Sequence, residues 1–253
     1  MAAPALSVVV PAYDEAAGIA TTLGSLHATI GGLGIEHEII VVDNASRDGT
    51  ADLVEALRDP SVRVLRNAEN IGKGGSLRRG MLEAAGGLRL HCDADCGPSL
   101  LALGRMVELA DRYDVVVGSR LAAGAAVGRR QPVRRRIAGR SFGLLCRAVL
   151  REPTRDLFCG FKLWRAGAAE AAYGATALTG WTFDAETLAM ARALGFSIAE
   201  TGIPWTDRAG SRLSMPRVIL PVTRELLEAR ARVRRVARAH AARPAAEAAE
   251  SRA

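Results

Sequence analysis

Asp93 and Asp95 are two carboxylates one residue apart, at the end of an apolar run that begins at Leu88. Carboxylates at i and i+2 can share one hard cation. Mg²⁺ or Mn²⁺ prefers oxygen ligands and keeps company with phosphates. A metal held there would bridge a diphosphate and offset the charge that develops as it leaves. Asp-x-Asp alone occurs in many loops, so its weight comes from its neighbours. Asp43 ends a second apolar run, EIIVVD. An acid there can accept hydrogen bonds from a base or a ribose, or it can cap the turn over 45–50. The segment 70–75, NIGKGG, is a glycine-rich turn opening a helix. Its backbone N–H groups can approach a ligand closely. Its spacing is not that of a Walker P-loop.

Composition narrows the class. The chain has 253 residues, 49% hydrophobic, enough for one α/β domain with appendages. No run of 18 apolar residues is present, and the N-terminus lacks a basic segment followed by a long apolar one. A membrane span and a signal peptide are therefore not expected, and the cytoplasm is the expected location. Net charge is +7, and only Lys73 and Lys162 among the 34 basic residues are Lys. Both lysines fall inside motifs, where a point charge on a flexible stem is useful. Cys92, Cys96, Cys146 and Cys159 match no zinc template and read as small buried thiols.

Certain elements must hold these residues in place. Apolar runs at 6–10, 38–43, 62–65, 88–93 and 114–118 lack alternation, which fits strands buried on both faces. Helical spacing fills 15–29, 49–58, 75–85 and 100–112 between them. Strand–helix repetition predicts a mostly parallel sheet with helices on both faces. Ligands in such sheets bind beyond the carboxyl ends of the strands. Those ends carry 11–15, Asp43, Asp93–Asp95 and Arg120. Beyond Arg120, 121–140 reads as a Gly-, Ala- and Arg-rich loop entering a helix over 141–150. A polar-aromatic stretch follows at 156–164, then a helix over 183–194 and a strand over 196–203. Val218, Val222, Leu226, Val233 and Val236 recur at helical spacing opposite Arg, predicting an amphipathic helix over 216–240. Residues 241–253 read as a disordered tail.

The segments SVVVPAYDE, IIVVDNASRDGT, NIGKGGSLRRGM, CDADCG, VVGSR, CGFKLW, WTFDAETL and IPWTDRAGSRLS occur in one order across most of the chain. Together they resemble the dolichyl-phosphate β-glucosyltransferases and polyprenyl-phosphate sugar synthases of glycosyltransferase family 2. The resemblance implies a GT-A fold over 1–215, with a nucleotide-sugar half at 1–120 and an acceptor half at 121–215. It also implies a UDP- or GDP-sugar donor (UDP-glucose being the nearer match), Mg²⁺ or Mn²⁺, and inversion at the anomeric carbon. Carried over by position, Pro11, Ala12, Tyr13, Glu15 and Asp43 would line the base and ribose pocket. Gly72 and Lys73 would border the nucleotide. Asp93, Ala94 and Asp95 would meet the ribose, diphosphate and metal. Arg120 would reach a phosphate or the acceptor. Gly160, Phe161, Lys162, Trp181, Asp184 and Glu186 would face the transferred sugar. Ser211 and Arg212 would lie on a covering loop.

Three positions depart from the family pattern. Asp43-Asn44 stands for Asp-Asp, Leu157-Phe158 for two polar residues, and Cys96-Gly97-Pro98 for Gly-Ala-Thr. Two acceptors therefore stay open. A polyprenyl phosphate is already an anion and needs positioning and charge compensation. The arginines at 129–140 and on the C-terminal helix would then touch a membrane peripherally. A small-molecule hydroxyl needs a general base, for which Asp156 or Asp184 would serve. A basic nucleic-acid module is the remote alternative, because no aromatics interleave with the basic stretches.

Overall fold

The computed structural model describes residues 3–128, 133–180, 182–206 and 219–250. The first half alternates strand and helix, as the apolar runs predict. β1 (Leu6–Ala12), β2 (His37–Asp43), β3 (Val62–Arg66), β4 (Leu88–Cys92) and β5 (Val115–Ser119) are separated by α1 (Ile19–Gly32), α2 (Thr50–Ala56), α3 (Gly72–Glu83) and α4 (Leu103–Ala110). A 3₁₀ turn, Gly97–Ala102, leads into α4 with Pro98 near its start, so the helical run begins before the expected residue 100.

After β5 come β6 (Ala126–Val127), α5 (Val133–Leu150), β7 (Phe161–Arg165) and α6 (Ala166–Ala175). α7 (Phe183–Ala193), β8 (Ile198–Gly202), β9 (Pro204–Trp205) and α8 (Ile219–Glu250) complete the chain. The seven-stranded sheet has the order β3-β2-β1-β4-β7-β5-β8. β7 runs antiparallel to both its neighbours, and the other pairings are parallel. This is a GT-A fold in a single domain, and β6 and β9 form a small parallel ribbon beside it.

Successive residues of one strand serve opposite faces, as strand geometry requires. On β1, Val8 and Val10 join the cluster beneath α1 and α4, while Val9 joins the cluster beneath α3, α6 and α7. Ile39 and Val41 against Ile40 and Val42 repeat the division on β2. Each such side chain is fully buried, which contributes about 1.5–3 kcal/mol relative to exposure. Two covered faces explain why these runs are continuously apolar.

Four expectations need correction. The stretch at 156–164 contains the start of a strand, β7, masked in the sequence by the lysine in its middle. α6 follows it directly and was not expected. α5 starts at Val133, inside the segment read as a loop. α8 stays helical to Glu250 rather than ending at residue 240, because its Ala-rich end has high helix propensity. Among the described residues no helix is long and apolar enough to cross a membrane.

Candidate active site

The parallel strands β1, β2, β4 and β5 bring their carboxyl ends to one edge. Ala12 pairs with Asp43 across β1 and β2. Asp93 follows β4 directly, and Arg120 follows β5. β7 enters this edge from the other direction. Phe161 pairs with Cys92 and Lys162 with His91, so Gly160 and Lys162 arrive beside Asp93. A parallel strand in that place would have put its other end there.

Backbone contacts hold the 93–96 turn. The Asp93 N–H donates to Gly160 O at 2.9 Å, and the Cys96 N–H donates to Asp93 O at 3.0 Å. Thr22 Oγ1 on α1 donates to Ala94 O at 2.5 Å. A disulfide joins Cys92 and Cys96, enclosing the Asp-x-Asp turn. This corrects the reading of those two as thiols; Cys146 and Cys159 are free and buried, as expected. Four-residue spacing alone does not reveal that a turn folds the two sulfurs together. Gly160 is required by proximity, since a Cβ there would lie 1.9 Å from Asp93 Oδ2.

Beneath the edge runs a line of alternating charge. Lys73 Nζ lies 2.6 Å from Asp93 Oδ1 and 2.8 Å from Oδ2. His91 Nε2 lies 3.2 Å from Asp93 Oδ1, and His91 Nδ1 lies 3.8 Å from Asp184 Oδ1. Lys162 Nζ donates to Asp184 Oδ1 at 2.5 Å and to Cys159 O at 2.6 Å. The two lysines of the chain are thus the countercharges of two acids at this edge. Burial by itself would raise the Asp93 carboxyl. The Lys73 ammonium and the His91 hydrogen bond outweigh it and hold that carboxyl well below the usual range. Burial opposes the Lys73 charge too, but Asp93, Asp184 and Asp95 together raise its pKa. Burial pushes His91 down, against the pull of Asp93 and Asp184, so it is neutral at neutral pH. His91 sits two residues before Asp93 and therefore on the same side of the strand; that period was its only signal in the sequence.

Lys73 stands at the start of α3. Gly72 has φ +78°, and a Cβ there would meet Thr179 O at 2.5 Å. Only glycine combines that backbone with that contact. Asn44 explains its own departure from the family pair. Its Oδ1 accepts from Asn67 Nδ2 and from the Ile71 N–H, and its Nδ2 donates to Asn70 Oδ1. A second Asp in its place would lack the donor. Asp43 is 4% exposed; its Oδ2 accepts from the Ser46 N–H, and its Oδ1 has no hydrogen-bond partner. Ala12 is buried, Pro11 and Glu15 half-buried and Tyr13 exposed at the same strand end. The Glu15 N–H donates to Thr50 Oγ1, fixing this loop to α2.

Arg120 grips Asp156 with two side-chain bonds, Nε to Oδ2 at 2.8 Å and Nη2 to Oδ1 at 2.7 Å, and its backbone N–H donates to Oδ2 as well. Its guanidinium also lies 5.3 Å from the Trp205 ring. Burial would raise Asp156, but the Arg120 hydrogen bonds and charge hold it low. Glu186 is placed elsewhere than expected. It is fully buried, accepts from the Ala177 and Leu178 N–H groups, and pairs with Arg232 of α8 at 2.7 Å. Two residues along α7 turn the side chain by about 200°, which puts Glu186 on the face opposite to Asp184. Trp181, Ser211 and Arg212 lie outside the described residues, as do Arg129 and Arg130.

Residues 7–172 match the model of Glycosyl transferase family 2. The chain is 31% identical over 224 residues to a dolichyl-phosphate beta-glucosyltransferase of Dictyostelium discoideum, covering 82% of this chain and 68% of that protein. It is 30% identical to an undecaprenyl-phosphate mannosyltransferase of Micrococcus luteus, over 79% of this chain and 83% of the other. It spans 36% of a Haloferax volcanii glycosyltransferase to which it is 29% identical. The glucosyl-3-phosphoglycerate synthase of Mycobacterium tuberculosis, solved with Mn²⁺, UDP and phosphoglyceric acid, superposes with a TM-score of 0.64. That match has 20% identity and covers 91% of this chain and 78% of that one. A Pyrobaculum calidifontis mannosyltransferase, solved with GDP-Man and Mn²⁺, gives 0.60 at 19% identity, over 100% and 82%. With an Asp-x-Asp turn on the carboxyl edge of a GT-A sheet, the chain belongs to glycosyl transferase family 2 and is a glycosyltransferase.

Proposed function

We propose that this enzyme moves a hexose, with inversion, from a nucleoside-diphosphate sugar (UDP-glucose in first place) to a polyprenyl phosphate. One observation carries the choice of acceptor: the acids available as general base are spent on cations. Asp156 is gripped by a bidentate arginine, and Asp184 accepts a hydrogen bond from Lys162. A base works best with a pKa near the operating pH, and Asp156 is displaced the wrong way. A phosphate acceptor is already anionic and needs no such base. The names of the relatives from Dictyostelium and Micrococcus support the same acceptor class.

The donor half fits its task. The free Oδ1 of Asp43 would accept a hydrogen bond from the base or ribose. Asp93, with both oxygens engaged by Lys73 and His91, is poorly placed to ligate a metal. Asp95, half-exposed two residues on, is the better protein ligand. Among the described residues no group of three or more His, Cys, Asp or Glu could hold a metal. Such a set suits Mg²⁺ or Mn²⁺, which take one or two carboxylates and complete their shell with phosphates and water. When bound, the cation would neutralise charge on the departing nucleoside diphosphate. Arg120 lies on the acceptor side, where a guanidinium exchanging Asp156 for an incoming phosphate would orient it.

The test is transfer from radiolabelled UDP-glucose or GDP-mannose, with Mn²⁺, to a short-chain polyprenyl phosphate or to polyprenol. Label should appear on the phosphate and not on the alcohol. Donor hydrolysis without lipid product would refute the acceptor. Asp95→Ala should lower transfer by about 100-fold or more, the scale of several kcal/mol of charge stabilisation. Activity that survives both this substitution and chelation would refute the metal reading.

A further inference from the structure

The outer side of α5 is not part of the catalytic edge. Ile137 and Leu144 are each 60% exposed, and Leu145 is 42% exposed. They recur at one side of the helix, with exposed Arg140 between them and exposed Arg151 just past the end. α8 lies beside α5, burying Leu226 and Ala229 inward. Its outer stripe is Leu227, 57% exposed, followed by Arg230, Arg234 and Arg238 at spacings of three and four. Arg151 reaches the same cluster. Arg230 first, then Arg151 and Arg238, lower the pKa of Arg234 by repulsion.

The nearby acids are committed elsewhere. Glu225 accepts from Thr182, Glu228 pairs with Arg224, Glu152 with Arg192 and Glu186 with Arg232. Among the described residues none pairs with Arg151, Arg230, Arg234 or Arg238. Crowded like charges beside exposed aliphatic side chains oppose folding and are relieved by a partner that is both anionic and apolar. A nucleic acid meets the first condition only, and these stripes carry no exposed aromatic on which bases could stack.

We propose that the α5–α8 face docks on an anionic phospholipid bilayer, with its arginines among the headgroups and Ile137, Leu144, Leu145 and Leu227 in the interface. The proposal does not depend on the acceptor, because docking is measured without turnover. It gives a lipid-borne acceptor a short route, since Arg151 is five residues from Asp156.

The test is flotation of the full chain with phosphatidylcholine vesicles, with and without phosphatidylglycerol. Binding is expected only to the anionic vesicles and should weaken with salt. Arg234→Glu with Arg238→Glu should cut the partition about tenfold or more, and Lys at both positions should keep it. Leu144→Asp with Leu145→Asp should cut it too. These sites are exposed, and far-UV circular dichroism checks that each variant folds. Equal binding to neutral vesicles, no binding to either, undiminished binding by the glutamate variant, or displacement by RNA at charge-matched concentration would each overturn the proposal.

Discussion

At the scale of single residues, the site depends on two lysines in a chain whose other cations are arginines. Lys73 and Lys162 each place a compact ammonium against a buried or half-buried carboxylate, where a planar guanidinium would need more room. Asp93, held low by Lys73 and His91, contributes stability that is fully present above its unfolded pKa, about 3.9. That contribution is lost only as pH falls through its still lower folded value. Between about pH 5 and pH 8 this pair should therefore leave wild-type stability unchanged. Lys73→Met removes the largest opposing charge and lets burial raise the Asp93 carboxyl. The variant should lose about 1–3 kcal/mol at neutral pH, and part of that loss should be recovered as pH falls and the raised Asp93 carboxyl takes up a proton. Superimposable urea-versus-pH profiles would show that the ion pair matters little. Gly160→Ala has a different cause, a Cβ driven into the Asp93 carboxylate. The expected cost is about 1–3 kcal/mol of overpacking. It should be seen as a lower melting temperature together with a raised KM for the donor, if the displaced group borders the donor as proposed.

At the scale of elements, the antiparallel strand β7 explains most of what the sequence hid. The periodicity of β1, β2, β4 and β5 is legible because both their faces are covered, so their apolar runs are unbroken. Lys162 interrupts β7 with a charge that is 1% exposed, and Asp184 on another element together with the Cys159 carbonyl makes that tolerable. The 92–96 turn has the same character. Its disulfide depends on how the chain bends after β4, which spacing does not specify. Alkylation of the unfolded, unreduced protein should label two of its four cysteines, and reduction should expose the other two. Closing so small a loop should contribute about 2 kcal/mol, measurable as a lower urea midpoint in Cys92→Ala with Cys96→Ala. Four labelled cysteines without reduction would show that the bond is absent.

At the scale of the whole molecule, α8 is tied to the catalytic domain by Arg232, which reaches fully buried Glu186. Removing one partner of such a pair leaves an uncompensated buried charge. Arg232→Met should therefore cost about 3 kcal/mol. Because Glu186 is buried against Arg232 and the 177–178 backbone, the folded variant should keep the wild-type kcat; a fall in kcat at unchanged stability would return Glu186 to the proposed sugar site. The residue types and their order were enough to assign the family, the parallel core, and Asp43, Lys73, Asp93, Asp95 and Arg120 as site candidates. Each of these follows from local chain properties, namely apolar runs and the polar residues that end them. Tertiary structure alone decided what each acid is bound to. Asp184 and Glu186 look alike two positions apart. What separates them is the cation or backbone donor that another element brings within about 3 Å, a hydrogen-bonding distance.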